Sequence, residues 1–150
     1  MNSNSVIPSL YCLHLNECDP KKCTALKLKK FKLLKIISKI KGDLSNAIVL
    51  TPLSQKVISL EDRFIIKKYG LIVIDCSWKQ LYSLKVGNFS RGRKLPPLIA
   101  TNPVNYGKWE KLTSAEALAA ALFITGYHED AELILSKFNW GIHFKDLNRY

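Results

Sequence analysis

The chain reads as an α/β protein with a largely parallel sheet, and three features predict it. Strand-like and helix-like segments alternate along the 150 residues, the order in which parallel strands are joined by covering helices. Leu71, Ile72, Val73 and Ile74 form an uncharged, mostly β-branched run, as a strand buried on both faces requires. Residues 115–123 are almost wholly small or apolar, which predicts a helix buried all round. The length predicts one domain, or a small basic N-terminal lobe over residues 1–45 ahead of a main α/β lobe over 46–150. A hydrophobic content of 47% is enough to fill such a core.

Taken in order, residues 10–15 predict a strand, bounded by Pro8 and by a turn at 16–20 in which Asp19-Pro20 favours reversal. Thr24 stands where the next element begins. Over residues 33–40 apolar side chains fall at helical intervals with lysines opposite, predicting an amphipathic helix that ends before Gly42. Residues 47–50 predict a buried strand closed by Thr51-Pro52. Ser59 caps a helix over 60–68, with Glu61 and Asp62 in its first turn, Lys67 and Lys68 in its last, and Gly70 ending it. The strand at 71–74 then delivers Asp75 at its carboxyl end.

Leu98, Ile99 and Ala100 predict another buried strand, which starts there because Pro96 and Pro97 have no N–H to give a sheet. Thr113 and Glu116 have the spacing of a capping box at the head of the alanine-rich helix, and Gly126 stops it. Between them residues 102–107 are rich in turn formers and poor in charge, and a polar loop leading into a buried helix at the carboxyl end of a strand is where open α/β sheets bind ligands. A last helix follows residue 127, with Ala131, Ile134, Leu135 and Phe138 at i, i+3, i+4 and i+7. Trp140, Ile142 and Phe144 read as packing.

Charge and cysteine content narrow the function classes. A net charge of +11, from 23 Lys and Arg against 12 Asp and Glu, predicts an acidic partner, and nucleic acid is the commonest one. Lysines crowd residues 21–41, and Arg91, Arg93 and Lys94 form a second cluster beside the polar loop. Lys27, Lys29, Lys30, Arg91 and Arg93 are the candidate phosphate contacts. No apolar run approaches the roughly 18 residues of a membrane span, and residues 1–8 lack the basic start and apolar middle of a secretion signal. A cytoplasmic protein with no membrane partner is expected, and the basic charge favours a monomer. Cys12, Cys18, Cys23 and Cys76 contain no C-x-x-C pair, so no metal is expected even with His14 nearby. No G-x-G-x-x-G follows any strand, which argues against a nicotinamide or doubly wound methyltransferase site.

The run LPPLIATNPVNYG at residues 95–107, with KL and then EALAAAL after it, resembles the signature of the aminocarboxypropyltransferases that modify small-subunit ribosomal RNA, relatives of the SPOUT methyltransferases. The resemblance extends to Cys18-Asp19-Pro20-Lys21-Lys22-Cys23-Thr24, to Asp75-Cys76-Ser77-Trp78 and to Asn139-Trp140-Gly141, in the family's order along nearly the whole chain. It implies a SPOUT-like sheet with a C-terminal trefoil knot, S-adenosylmethionine as the group donor, and rRNA or a pre-ribosomal subunit as partner. The implied reaction carries the 3-amino-3-carboxypropyl group to N3 of a uridine, or its N1-methylpseudouridine form, in an rRNA hairpin loop during ribosome biogenesis. Trp78 would hold the transferred arm, and Asp75 would face the sulfonium or take the proton of the base. Leu50, Ile74, Leu98, Thr113 and Ser114 would line the cofactor through their main chain, with Thr24 beside its carboxylate. A SPOUT-type methyltransferase and a basic RNA-binding assembly protein without chemistry are the alternatives.

Overall fold

The computed structural model describes residues 8–14, 23–75, 89–108 and 112–150, and of His14 and Asp75 the backbone alone. Five parallel strands form one sheet: β1 (Leu10–His14), β2 (Lys35–Ile37), β3 (Ile48–Leu50), β4 (Leu71–Asp75) and β5 (Gly92–Arg93), in the order β2-β1-β4-β3-β5. The helices are α1 (Thr24–Lys30), α2 (Arg63–Tyr69), α3 (Ser114–Ile124), α4 (His128–Leu135) and α5 (Ile142–Leu147). Short 3-10 turns at Gly42–Asn46 and Leu60–Asp62 precede β3 and α2.

The period of two along the central strands explains why they are apolar throughout. Ile48, Leu50, Leu71 and Val73 point into the larger core with α1, α3 and α4, whereas Val49, Ile72 and Leu13 point into a smaller one with Tyr11, Ile37, Leu44 and Tyr69. Nearly all of α3 lies inside the larger core; Ala115, Leu118, Ala119, Ala120, Ala121 and Leu122 are fully buried. Alanine on every side lets neighbouring backbones come close, and α3 packs against α1, α4 and β4.

Three expectations from sequence are corrected. The amphipathic helix over 33–40 is instead the edge strand β2, whose Ile36 and Ile37 pair with Cys12 and Leu13. β-Branched residues in so short a run favour a pleated, half-buried surface over an isolated helical turn. The buried strand expected at Leu98 is a single bridge residue at Ile99: among the described residues the fifth strand of the sheet is Gly92–Arg93, and Leu98 is buried beyond it. Ile99 there finds its partners in Asn148, whose side chain accepts its N–H (2.7 Å) and donates to its carbonyl (2.9 Å). The helix expected over 60–68 starts as a 3-10 turn and becomes α-helical at Arg63. The boundary expected at 45/46 falls between β2 and β3, and residues before it supply two strands of the shared sheet, with β1 pairing to β4 along five residues.

Candidate functional site

In a parallel sheet every crossover helix begins on the side where the strands end. β1 therefore leaves the sheet toward the start of α1, and that start meets the start of α3. The Thr24 hydroxyl accepts the N–H of Ala115 at 3.1 Å, joining positions 91 residues apart. Thr24, Thr113 and Ser114, three of the cofactor positions expected from sequence, are thus brought together. Leu50 and Ile74 lie on neighbouring strands at the same carboxyl edge, since Leu50 pairs with Val73, the residue before Ile74. Leu98 is buried in the core that α3 shares. Asp75 is the last residue of β4; its side chain and Trp78 lie outside the described residues.

Glu116 organises this corner, and sequence reasoning saw only half of its role. The capping box forms as expected: the Thr113 hydroxyl accepts the Glu116 N–H (3.2 Å), and the Thr113 N–H donates to Oε1 (2.9 Å). The same carboxylate also reaches out of the helix. Oε2 accepts the Thr101 N–H (2.6 Å) and hydroxyl (3.2 Å), while Oε1 accepts the Asn102 amide (2.8 Å) and the Thr113 hydroxyl (3.1 Å). Glu116, Thr101 and Asn102 are all buried. A carboxylate withdrawn from water is stable only when its lone pairs are filled, and here five donors and the positive end of α3 do so. The signal lay in the LIATN run fourteen residues upstream, whose donors a spacing rule within one helix does not look for.

Asn102 passes the constraint on. Its Oδ1 accepts the N–H groups of Val104 (3.2 Å) and Asn105 (3.0 Å), an Asx turn that fixes the chain around Pro103. The loop then closes on itself: the Gly107 N–H donates to the Ala100 carbonyl and the Ala100 N–H to the Lys108 carbonyl, each at 2.8 Å. Gly107 sits at φ +81°, a conformation that a side chain would disfavour.

Of the expected phosphate contacts, Lys27, Lys29 and Lys30 are exposed along α1, and the Lys27 ammonium lies 4.9 Å from the centre of the Phe138 ring. Arg91 is half-buried, with its guanidinium 5.7 Å from the Tyr69 ring. Arg93 is withdrawn from that group. It is 6% exposed and donates through Nε to both carboxylate oxygens of buried Asp62 (3.1 and 3.2 Å) and through Nη1 to the Gly92 carbonyl. Asp62 also accepts the Ser59 N–H, so Arg93 ties β5 to the start of α2 and is a structural cation. Breaking a buried pair to reach a phosphate would strand Asp62 uncompensated.

Residues 48–150 match the family described as "Ribosome biogenesis protein, C-terminal". The 16S rRNA aminocarboxypropyltransferase of Methanosarcina acetivorans is 46% identical over 98% of this chain and 84% of its own length. That of Methanosphaera stadtmanae is 49% identical over 90% of this chain and 80% of its own. The chain belongs to this aminocarboxypropyltransferase family. Among solved structures it is similar to the SAM-dependent rRNA:acp-transferase Tsr3 from Vulcanisaeta distributa, with 37% identity, a TM-score of 0.87, and coverage of 95% of this chain and 79% of that one. Residues 8–39 of this aminocarboxypropyltransferase family member also match a family described as "Possible Fer4-like domain in RNase L inhibitor, RLI". An iron–sulfur cluster takes four cysteine thiolates, and that segment carries three, Cys12, Cys18 and Cys23. Cys12 and Cys23 are buried, and no group of three metal-binding side chains occurs among the described residues.

Proposed function

We propose that this protein transfers the 3-amino-3-carboxypropyl group of S-adenosylmethionine to N3 of a uridine, or of its N1-methylpseudouridine form, in a hairpin loop of small-subunit rRNA. The observation that carries this reading is the junction of Thr24 with the first turn of α3, at the carboxyl edge of the sheet, in a chain of this family. S-adenosylmethionine supplies an alkyl group activated by its sulfonium and leaves as methylthioadenosine when the longer chain, not the methyl, is taken.

The protein's part is orientation, because three carbons on that sulfur are open to attack and only one must face the base. The chemistry of the donors at the junction suits a carboxylate. A helix N-terminus favours negative charge, and the Thr24 hydroxyl, which accepts from Ala115, keeps its own hydrogen to donate. Leu50, Ile74, Leu98, Thr113 and Ser114 would meet the nucleoside through main-chain groups. Trp78 would cover the transferred arm, and Asp75 would hold the amino group or take the N3 proton as the new bond forms. Lys27, Lys29, Lys30 and Arg91 would steer the RNA backbone, and the target base must be turned out of its stack to reach the cofactor.

The trefoil knot belongs to the same reading. Its support is that the chain leaves β4, enters β5 on the far side of β3, and comes back in α3 to pack on β4. Tracing residues 76–88 and 109–111 in an experimental density map tests it. A cytoplasmic monomer completes the proposal; among the described residues no helix is long and apolar enough to cross a membrane.

Incubating the protein with S-adenosylmethionine and unmodified small-subunit rRNA tests the reaction. Methylthioadenosine is the expected by-product. Release of S-adenosylhomocysteine would make the protein a methyltransferase, and no turnover with no cofactor binding would make it an RNA-binding assembly protein.

A further inference from the structure

Apolar side chains exposed singly on a surface carry little meaning. Val104 and Tyr106 differ in being 73% and 59% exposed on a loop that is fixed from beneath at almost every turn. The Asn102 side chain holds two of its N–H groups, Ala100 closes it with two backbone hydrogen bonds, and buried Glu116 grips its base. Among the described residues neither Val104 nor Tyr106 packs into the larger or the smaller core. The sequence therefore spends buried polar groups on holding out an aromatic ring and a branched aliphatic. A loop ordered beforehand gives up little freedom when a partner arrives, which is the arrangement a binding surface favours.

The loop's position and charge identify that partner. Its base adjoins the first turn of α3, where the cofactor is placed under the proposed function, so its tip stands at the rim over which a nucleobase must enter. Exposed Lys108 follows Gly107 directly, on a chain of net charge +11. An exposed aromatic ring two residues from an exposed cation, on a rigid support, suits a single-stranded nucleotide, whose base stacks while its phosphate is neutralised.

We propose that residues 102–108 form a preformed contact for an unpaired nucleotide of the rRNA, with the Tyr106 ring as the stacking surface, Val104 beside it and Lys108 toward the phosphate. This inference rests on the proposed function for the placement of the RNA. The ring, not the hydroxyl, does the binding, so phenylalanine should serve.

The test uses the full chain with in-vitro-transcribed small-subunit rRNA, measuring RNA affinity by filter binding, S-adenosylmethionine affinity by calorimetry, and turnover. Tyr106→Ala should weaken RNA binding and raise KM for RNA by about tenfold, a loss of the size found for one stacked base. Cofactor affinity and melting temperature should stay at the parent level, and Tyr106→Phe should behave as the parent. Unchanged RNA binding by Tyr106→Ala overturns the inference, as does a Tyr106→Phe protein as weak as Tyr106→Ala. A parallel loss of cofactor binding in Tyr106→Ala overturns it too. Should the parent release no methylthioadenosine yet bind RNA in a Tyr106-dependent way, the proposed reaction fails and the contact stands.

Discussion

At its first turn α3 is held by a carboxylate and at its last by a guanidinium, each sign matching the helix end it serves. Glu116 gathers Thr101, Asn102 and Thr113 at the N-terminus. At the C-terminus Arg63 donates through Nη1 to the Thr125 carbonyl (3.0 Å) and lies 4.1 Å from the centre of the Tyr127 ring, whose hydroxyl donates back to the Arg63 carbonyl (3.3 Å). The two ends differ in what they hold. Arg63 clamps groups of α2 and of the turn into α4, and its partners among the described residues belong to the fold's interior or its immediate cover. Glu116 holds a loop whose outer side chains touch solvent. The polar interior of this protein thus serves two ends, one closing the core and one holding out the loop over residues 102–107.

Substitutions at the two ends should therefore separate stability from function. Glu116→Gln has the largest expected effect. Its amide would turn donors toward donors, and leaving buried partners unsatisfied costs about 3 kcal/mol, roughly 10 °C in melting temperature for a chain of this size. Turnover should fall much further than stability explains at a temperature where both proteins are folded. If activity merely tracked the folded fraction, the two ends would be alike. Arg63→Ala is expected to lose about 2 kcal/mol by denaturant titration, from a carbonyl hydrogen bond and a cation–π contact, with KM and kcat unchanged. A change in either kinetic constant would bring the C-terminal end into the site.

The smallest effect is one of pH. Burial pushes the Tyr127 phenol above its usual range, with Arg63 drawing it back and Asp130 adding to the rise. A phenol whose folded pKa is raised stabilises the fold while protonated, a contribution fully present below pH 10 and lost as pH climbs through the raised value. Tyr127→Phe should be slightly less stable than the parent at neutral pH, for want of one long hydrogen bond. The gap should narrow above pH 10, and thermal melts across that range check it. A gap that widens there would contradict the assignment.

Strands with a continuous apolar run were legible because burial on both faces leaves one reading, as at β3 and β4. So were the signals at element ends, such as the Thr113–Glu116 box. Residues 33–40 misled because apolar spacing in eight residues fits a helix and an edge strand alike, and pairing with β1 decides. Leu98 shows that burial alone does not establish a sheet strand: among the described residues its segment is satisfied by Asn148 and by the loop after it, with a single bridge residue at Ile99. Arg93 shows the limit for charge, since a cluster of basic residues does not reveal which member a buried Asp62 has claimed. Of the site, Thr24 and the start of α3 were named from family motifs, but their meeting through one hydrogen bond across 91 residues is visible only in three dimensions.

Under the proposed function the corner built by Thr24, Glu116 and the first turn of α3 receives the amino-acid end of the group donor. A crystal structure with S-adenosylmethionine bound tests it most directly. The carboxylate should lie within hydrogen-bond distance of the Thr24 hydroxyl or the Ser114 N–H, with residues 102–107 unmoved. A cofactor seated elsewhere, or one that forces the loop off Glu116, would contradict that placement.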